Sequence, residues 1–312
     1  MPSFATEVKN ELARLSYERS CCRTAELAAL LRMGAVMTLG AAHALGINFT
    51  TENAAVARKT LTLLKSQGGG VHTEIMVSRS RRLKKNNSYT VRVMPSQRVN
   101  TLLESLGLMH GDTLNVGSDS AILHRRCCRT AYLRGAFLGG GSVNRPEAGY
   151  HLELVTGSYP FAELLLSLLK KLELPAGLTD RKNDYIVYLK ESDAIVDFLT
   201  MLEADQAVEA MESARNLKEI RNQVNRLVNC ETANLQKTVD AAGRQIADIR
   251  RLADAGRLEK LPAGLRETAD MRLAHPDATL AELAELLHIG KSGMNHRLRR
   301  LASLAAELTE GE

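Results

Sequence analysis

Five residues, Cys21-Cys22-Arg23-Thr24-Ala25, recur unchanged 106 positions later as Cys127-Cys128-Arg129-Thr130-Ala131. The register continues, pairing Leu27 with Leu133 and Gly34 with Gly140. A repeat of this length confines the fold, because whatever unit one copy forms the other forms again. The patterns that follow also agree in order. After the first Cys-Cys helix come a strand pair over 35–50, a helix over 53–65, a hairpin over 71–93 and a helix over 97–106. After the second come a strand pair over 141–156, a helix over 160–172, a hairpin over 177–189 and a helix over 192–202. The strands rest on β-branched and aromatic runs such as Tyr185-Ile186-Val187-Tyr188, and the turns on Asn- and Asp-bearing segments. Each half reads αββαββα.

Ala25, Ala29 and Met33 lie one turn apart on the first repeated helix, and Ala131, Gly135 and Gly139 match them on the second. Small residues at that spacing let two backbones approach, so the two helices are expected to pack on a pseudo-two-fold axis. The segment from Leu133 to Gly141 (Leu-Arg-Gly-Ala-Phe-Leu-Gly-Gly-Gly) resembles the LAGLIDADG motif of homing endonucleases. The resemblance implies that family's fold. Its penultimate motif position carries an acidic metal ligand, and here that position is Gly140, with Gly34 as its partner in the first copy. Two-metal phosphodiester cleavage needs carboxylates to hold its ions, and glycine has none. No catalytic residue, and no enzyme, is expected.

The chain has 312 residues, more than one core of ordinary size needs, and a net charge of +5. Charge is uneven. Residues 1–110 carry 15 basic against 7 acidic side chains, residues 111–214 carry 10 against 15, and residues 215–312 carry 16 against 14. Arg79, Arg81, Arg82, Lys84 and Lys85 precede one hairpin turn, with no acid between Ile75 and Met94. They are either phosphate contacts or a solvated hairpin tip. The amphipathic start, with Glu7 and Glu11, is unlike a signal peptide, and no apolar run approaches the ~20 residues of a membrane span. Five cysteines, an odd number in a chain this long, fit a reduced, cytoplasmic protein. Adjacent cysteines on a helix point ~100° apart, and zinc sites use a spacer. Cys21, Cys22, Cys127 and Cys128 therefore read as small buried residues, with no metal and no cofactor expected.

From residue 203 the pattern is helical throughout, with helices over 212–228, 230–252 and 265–274. Asn222, Asn225, Arg226, Asn229, Asn234 and Lys237 form a polar cluster that helix propensity does not explain. Asn225, Arg226, Asn229, Asn234 and Lys237 are candidates for a DNA or partner surface. Thr279-x-x-Glu282 is a capping box that opens a helix, His288-Ile289-Gly290 supplies a turn with glycine at its positive-φ position, and Ser292 can cap a second helix. In that helix Met294, Leu298, Leu301 and Ala305 form one apolar stripe. Ser292, His296, Arg299 and Arg300 point away from it, flanked by Asn295 and Arg297. This is a helix–turn–helix pattern over about residues 279–305, and Arg and Asn are the side chains that pair with guanine and adenine edges.

The string Asn225-Arg226-Leu227-Val228-Asn229-Cys230-Glu231-Thr232-Ala233-Asn234-Leu235, with Ser292-Gly293-Met294-Asn295-His296-Arg297-Leu298, resembles the WhiA family of bacterial transcription regulators. The segment from Ser3 to Leu12 and both Cys-Cys-Arg-Thr-Ala segments are similar to that family too, so the resemblance spans essentially the whole chain. It implies an α+β protein, a duplicated, degenerate LAGLIDADG-like domain over 1–213 (repeats about 20–110 and 126–205) followed by an all-α domain over 214–312. It also implies a regulator of cell division, chromosome segregation or sporulation that binds double-stranded DNA in the cytoplasm, at the nucleoid. In actinobacteria a WhiB-type iron–sulfur regulator is a partner known for the family, and the resemblance extends that expectation to this chain. Two rival readings stand beside this one: a LAGLIDADG endonuclease, and a scaffold docking on RNA polymerase or another regulator.

Overall fold

The structure is a computed structural model whose described residues are 2–79, 87–111, 113–115 and 120–309. Arg81, Arg82, Lys84 and Lys85 of the basic hairpin lie outside them. Among the described residues no helix is long and apolar enough to cross a membrane. The chain divides into two compact units, residues 1–217 and 218–312.

The first unit begins with α1 (Phe4–Arg14), capped by Ser3, whose hydroxyl accepts from the Thr6 amide, and buries Phe4, Val8 and Leu12. The first repeat follows as α2 (Ser20–Gly34), β1 (Ala35–Leu39), β2 (Leu45–Thr51), α3 (Ala54–Gln67), β3 (Thr73–Arg79), β4 (Asn87–Val93) and α4 (Gln97–Ser105). A small hairpin, β5 (Met109–His110) and β6 (Thr113–Leu114), and the short α5 (Ser120–Leu123) lead to the second. There α6 (Arg126–Gly140), β7 (Gly141–Val143), β8 (Leu152–Thr156), α7 (Tyr159–Lys171), β9 (Gly177–Arg181), β10 (Asp184–Leu189) and α8 (Ser192–Met201) repeat the order element for element.

Each repeat builds a four-stranded antiparallel sheet, β1-β2-β4-β3 in one and β7-β8-β10-β9 in the other. Alternation decides which face is buried. Ile47 pairs with Val93 and Phe49 with Val91, all four fully buried. In the second sheet Leu154 pairs with Val187 and Leu152 with Leu189 on the same kind of face. On the opposite face of the first sheet Thr50 and Thr90 share a hydroxyl hydrogen bond of 3.1 Å, and Arg92 is exposed.

The two repeats meet along α2 and α6, where Ala25, Ala29 and Ala131 are fully buried. A Cβ on Gly139 would stand 2.6 Å from Met33 Cβ, so the small-residue stripes face each other as their spacing predicts. Glu26 is buried beside this seam and pairs with Lys59 at 3.2 Å. Burial pushes its carboxyl above the usual carboxylate range, opposed by the Lys59 and Arg134 charges. Arg134 is fully buried as well; it donates to the Leu202 carbonyl at 2.7 Å and the Glu203 carboxylate at 3.0 Å, over the ring of Tyr17.

After the repeats runs α9 (Asp205–Asp254), a single helix of 50 residues. Sequence patterning puts a break at Asn229, but an exposed Asn costs a helix only tenths of a kcal/mol and nothing at that position ends it. The second unit holds the rest of α9 with α10 (Ala263–Ala274), α11 (Leu280–Leu286) and α12 (Lys291–Thr309). Its own core gathers Ile249, Leu252, Ala269, Leu283, Met294, Leu298 and Leu301.

Candidate nucleic-acid interface

α11 starts where the sequence places it. The Thr279 hydroxyl accepts from the Glu282 amide at 3.3 Å, and the Glu282 carboxylate accepts from the Thr279 amide at 2.6 Å. The Thr279 backbone amide, which contributes most, and the Thr279 side chain hold the Glu282 carboxyl below its usual pKa by hydrogen bonding to its charged form. The turn differs from its expected form. His288, not Gly290, adopts the left-handed conformation, with φ +52°. The His288 amide donates to the Glu285 carbonyl at 3.0 Å and the Ile289 amide to the Ala284 carbonyl at 2.9 Å, which together close α11 in a Schellman motif. Gly290 instead precedes α12, its carbonyl accepting from the Met294 amide at 3.0 Å. Ser292 therefore lies inside the first turn of α12 rather than capping it.

α12 is two-faced. Met294, Leu298, Leu301 and Ala305 are buried at no more than 3% exposure, against α10, α11 and the end of α9. Ser292, His296, Arg299 and Ser303, three to four residues apart, are exposed on the other side, with Arg300 beside them. Arg300 reaches Glu307 at 3.9 Å, an exposed pair of little energetic weight. Asn295 is half-buried on the flank. Arg297 is engaged elsewhere: it donates to the Gly264 carbonyl at 3.1 Å, tying α12 to α10.

Arg272, absent from the sequence candidates, holds the turn between α10 and α11. Its buried guanidinium donates to the Ala278 carbonyl at 2.7 Å and to those of Pro276 and His275 at 3.4 and 3.5 Å. Desolvation lowers its pKa, but the carbonyls it reaches would otherwise be left at the open end of α10. The local signal for such a role is only its place in the last turn of a helix ended by His-Pro.

The remaining candidates lie on other elements. Asn225, Arg226, Asn229, Asn234 and Lys237 are all exposed on α9. Arg226 donates to the Asn222 carbonyl at 3.3 Å. At 100° per residue most of them lie opposite a stripe of exposed Ile220, Val224, Leu227, Leu235 and Val239, while Asn234 falls beside it. Arg79 is exposed at the end of β3, an edge strand. Gly34 and Gly140 end α2 and α6, where the LAGLIDADG carboxylates would stand. A Cβ on Gly140 would meet Met33 Cε at 2.3 Å and the Val155 carbonyl at 2.8 Å; one on Gly34 would meet the Phe49 ring at 3.0 Å. Among the described residues no group of three His, Cys, Asp or Glu side chains gathers there.

Three family models match this arrangement in order. The WhiA N-terminal LAGLIDADG-like domain matches residues 20–109, the WhiA LAGLIDADG-like domain residues 129–221 and the WhiA C-terminal HTH domain residues 224–305. The chain belongs to the WhiA family. A probable cell division protein WhiA of Desulforamulus reducens is 50% identical over 99% of this chain and 97% of its own length. One from Alkaliphilus oremlandii is 48% identical, with 99% of each chain covered. Among solved structures, full-length DUF199/WhiA from Thermatoga maritima superposes with a TM-score of 0.60 at 25% identity, covering 98% of this chain and 99% of that one.

Proposed function

We infer that the chain is a sequence-specific DNA-binding regulator of transcription, with α12 as its recognition helix. The observation that carries this reading is the division of α12: four side chains lock one face into the core, while Ser292, His296, Arg299 and Arg300 stand free of the core on the other. A helix held that way presents donors to base edges and phosphates without disturbing its own packing. The relatives' description as probable cell division proteins supports genes of division as its targets, and we extend the proposal to chromosome segregation and sporulation. Arg79 and the basic hairpin beyond it would add phosphate contacts that strengthen binding without selecting sequence.

Nuclease activity is not part of this reading. The fold of the first unit is that of a cleaving family, but its two carboxylate positions are glycines, and the Gly140 position is closed to a larger side chain by Met33 and a backbone carbonyl. The test of the main reading is selection from random duplex DNA by the full chain at a stated salt concentration. Enrichment of one motif supports it; recovery of unrelated sequences in proportion to their input contradicts it.

A further inference from the structure

The Cys-Cys pairs stand 106 residues apart in the sequence but meet in the fold. Each pair occupies the first turn of its helix, α2 or α6, and the close packing of those helices brings the pairs face to face. The four Sγ atoms of Cys21, Cys22, Cys127 and Cys128 all lie within 4.8 Å of one another, and within each pair the separation is 4.0 Å. A tetrahedral zinc ion with Zn–S bonds of about 2.3 Å spaces its sulfurs about 3.8 Å apart, so the cluster is within about 1 Å of that geometry throughout. The spacer rule for zinc ligands applies to one chain segment. Two packed helices from equivalent repeats need none, because each contributes one buried cysteine (Cys22, Cys128) and one half-buried cysteine (Cys21, Cys127) to a common centre.

We propose that Cys21, Cys22, Cys127 and Cys128 form a structural tetrathiolate zinc site that clamps the two repeats of the first unit together. The donor set is all sulfur, which favours zinc over magnesium or calcium. Binding converts thiols to thiolates and releases their protons, leaving a complex of net charge about −2. The surroundings suit that charge. Arg19 Nη1 is 4.0 Å from Cys127 Sγ, and both pairs sit at helix N-termini, whose amides favour anionic sulfur. A cleft of about 530 Å³, bordered by Arg19, Cys22, Arg126 and Cys127, opens on the cluster and gives an ion a way in. Four sulfurs this close cannot bracket a four-iron cluster, whose thiolates stand at its outer corners.

The test uses the full chain, purified under reducing conditions with zinc supplied. Elemental analysis and native mass spectrometry should find one zinc per chain. Cobalt(II) in its place should give the charge-transfer and d–d absorption of a tetrahedral tetrathiolate, lost on adding zinc. Cys230 is exposed, so iodoacetamide should label it alone in the zinc form, with Cys21 and Cys127 joining after chelation. Cys21→Ser and Cys127→Ser, the two half-buried positions, should each lose stoichiometric zinc while keeping the far-UV circular dichroism of the parent; Cys230→Ser should retain the metal. A folded chain without zinc and without tetrahedral cobalt bands overturns the proposal, as does labelling that is the same with and without chelator.

Discussion

A Cβ on Gly135 would stand 2.1 Å from the carbonyl oxygen of Glu26, so α6 rests directly on the backbone of α2. No rotamer relieves such a contact, because both atoms belong to main chain or to Cβ itself. Gly135→Ala must part the helices at the centre of the duplicated domain and is expected to cost ~1–3 kcal/mol as overpacking. Calorimetry of the full chain should show a lowered transition for Gly135→Ala, while Gly157→Ala, whose Cβ meets nothing within 4 Å, melts like the parent. Equal melting of the two variants would contradict the close crossing.

The Thr279–Glu282 box makes a prediction with a sign. A carboxyl held below its ordinary pKa stabilises the fold fully above the unfolded value, and that contribution is lost as pH falls through the folded value. Glu282→Gln should therefore flatten the fall in Tm of the second unit between about pH 5 and pH 3. Thr279→Ala removes the other half of the box and should cost ~0.5–2 kcal/mol at neutral pH. Thermal melts across that pH range check both, and a Glu282→Gln profile parallel to the parent's would contradict the assignment.

The duplicated order of elements was legible because alternation in the strands and turn residues between them are local signals, repeated twice. The capping box and the Met294-Leu298-Leu301-Ala305 stripe were legible for the same reason. What local pattern could not show were meetings across the chain. The cysteine pairs diverge on one helix and converge between two. Arg134, charged and in a glycine-rich motif, is fully buried because a carbonyl from α8's end reaches it. His288 takes the left-handed position that glycine usually fills, leaving Gly290 to open α12.

Restoring an acid to the degenerate motif should not restore cleavage. Gly140→Asp must displace Met33 Cε and press on the Val155 carbonyl, so its carboxylate cannot settle without moving the end of α6. Incubating the variant and the Gly34→Asp, Gly140→Asp double variant with the selected DNA and magnesium or manganese should leave the duplex intact. Metal-dependent nicking by either, above the parent, would show that the site needs only its carboxylates.

Arg297 and Arg299 should separate cleanly. Arg297 donates to the Gly264 carbonyl, so Arg297→Ala is expected to lower the stability of the second unit by ~1 kcal/mol and to leave the selected motif unchanged. Leu298→Ala empties a buried position and should cost ~2–5 kcal/mol, losing DNA binding through unfolding. Circular dichroism melts paired with motif selection distinguish these routes; a changed motif with Arg297→Ala would place that side chain on a base.

The most direct measurement is binding of the full chain to its selected site when Arg299 and Arg300 are both truncated. Both side chains are exposed, and Arg300 has only a surface ion pair to lose, so Arg299→Ala with Arg300→Ala should melt like the parent. Affinity should fall by ~1–3 kcal/mol for each base contact removed, with selectivity relaxed at the position it read. Where a contact is to phosphate, all sequences should weaken alike and the salt dependence become shallower by about one unit of slope. Undiminished affinity and an unchanged motif in the folded double variant would contradict α12 as the helix that reads DNA.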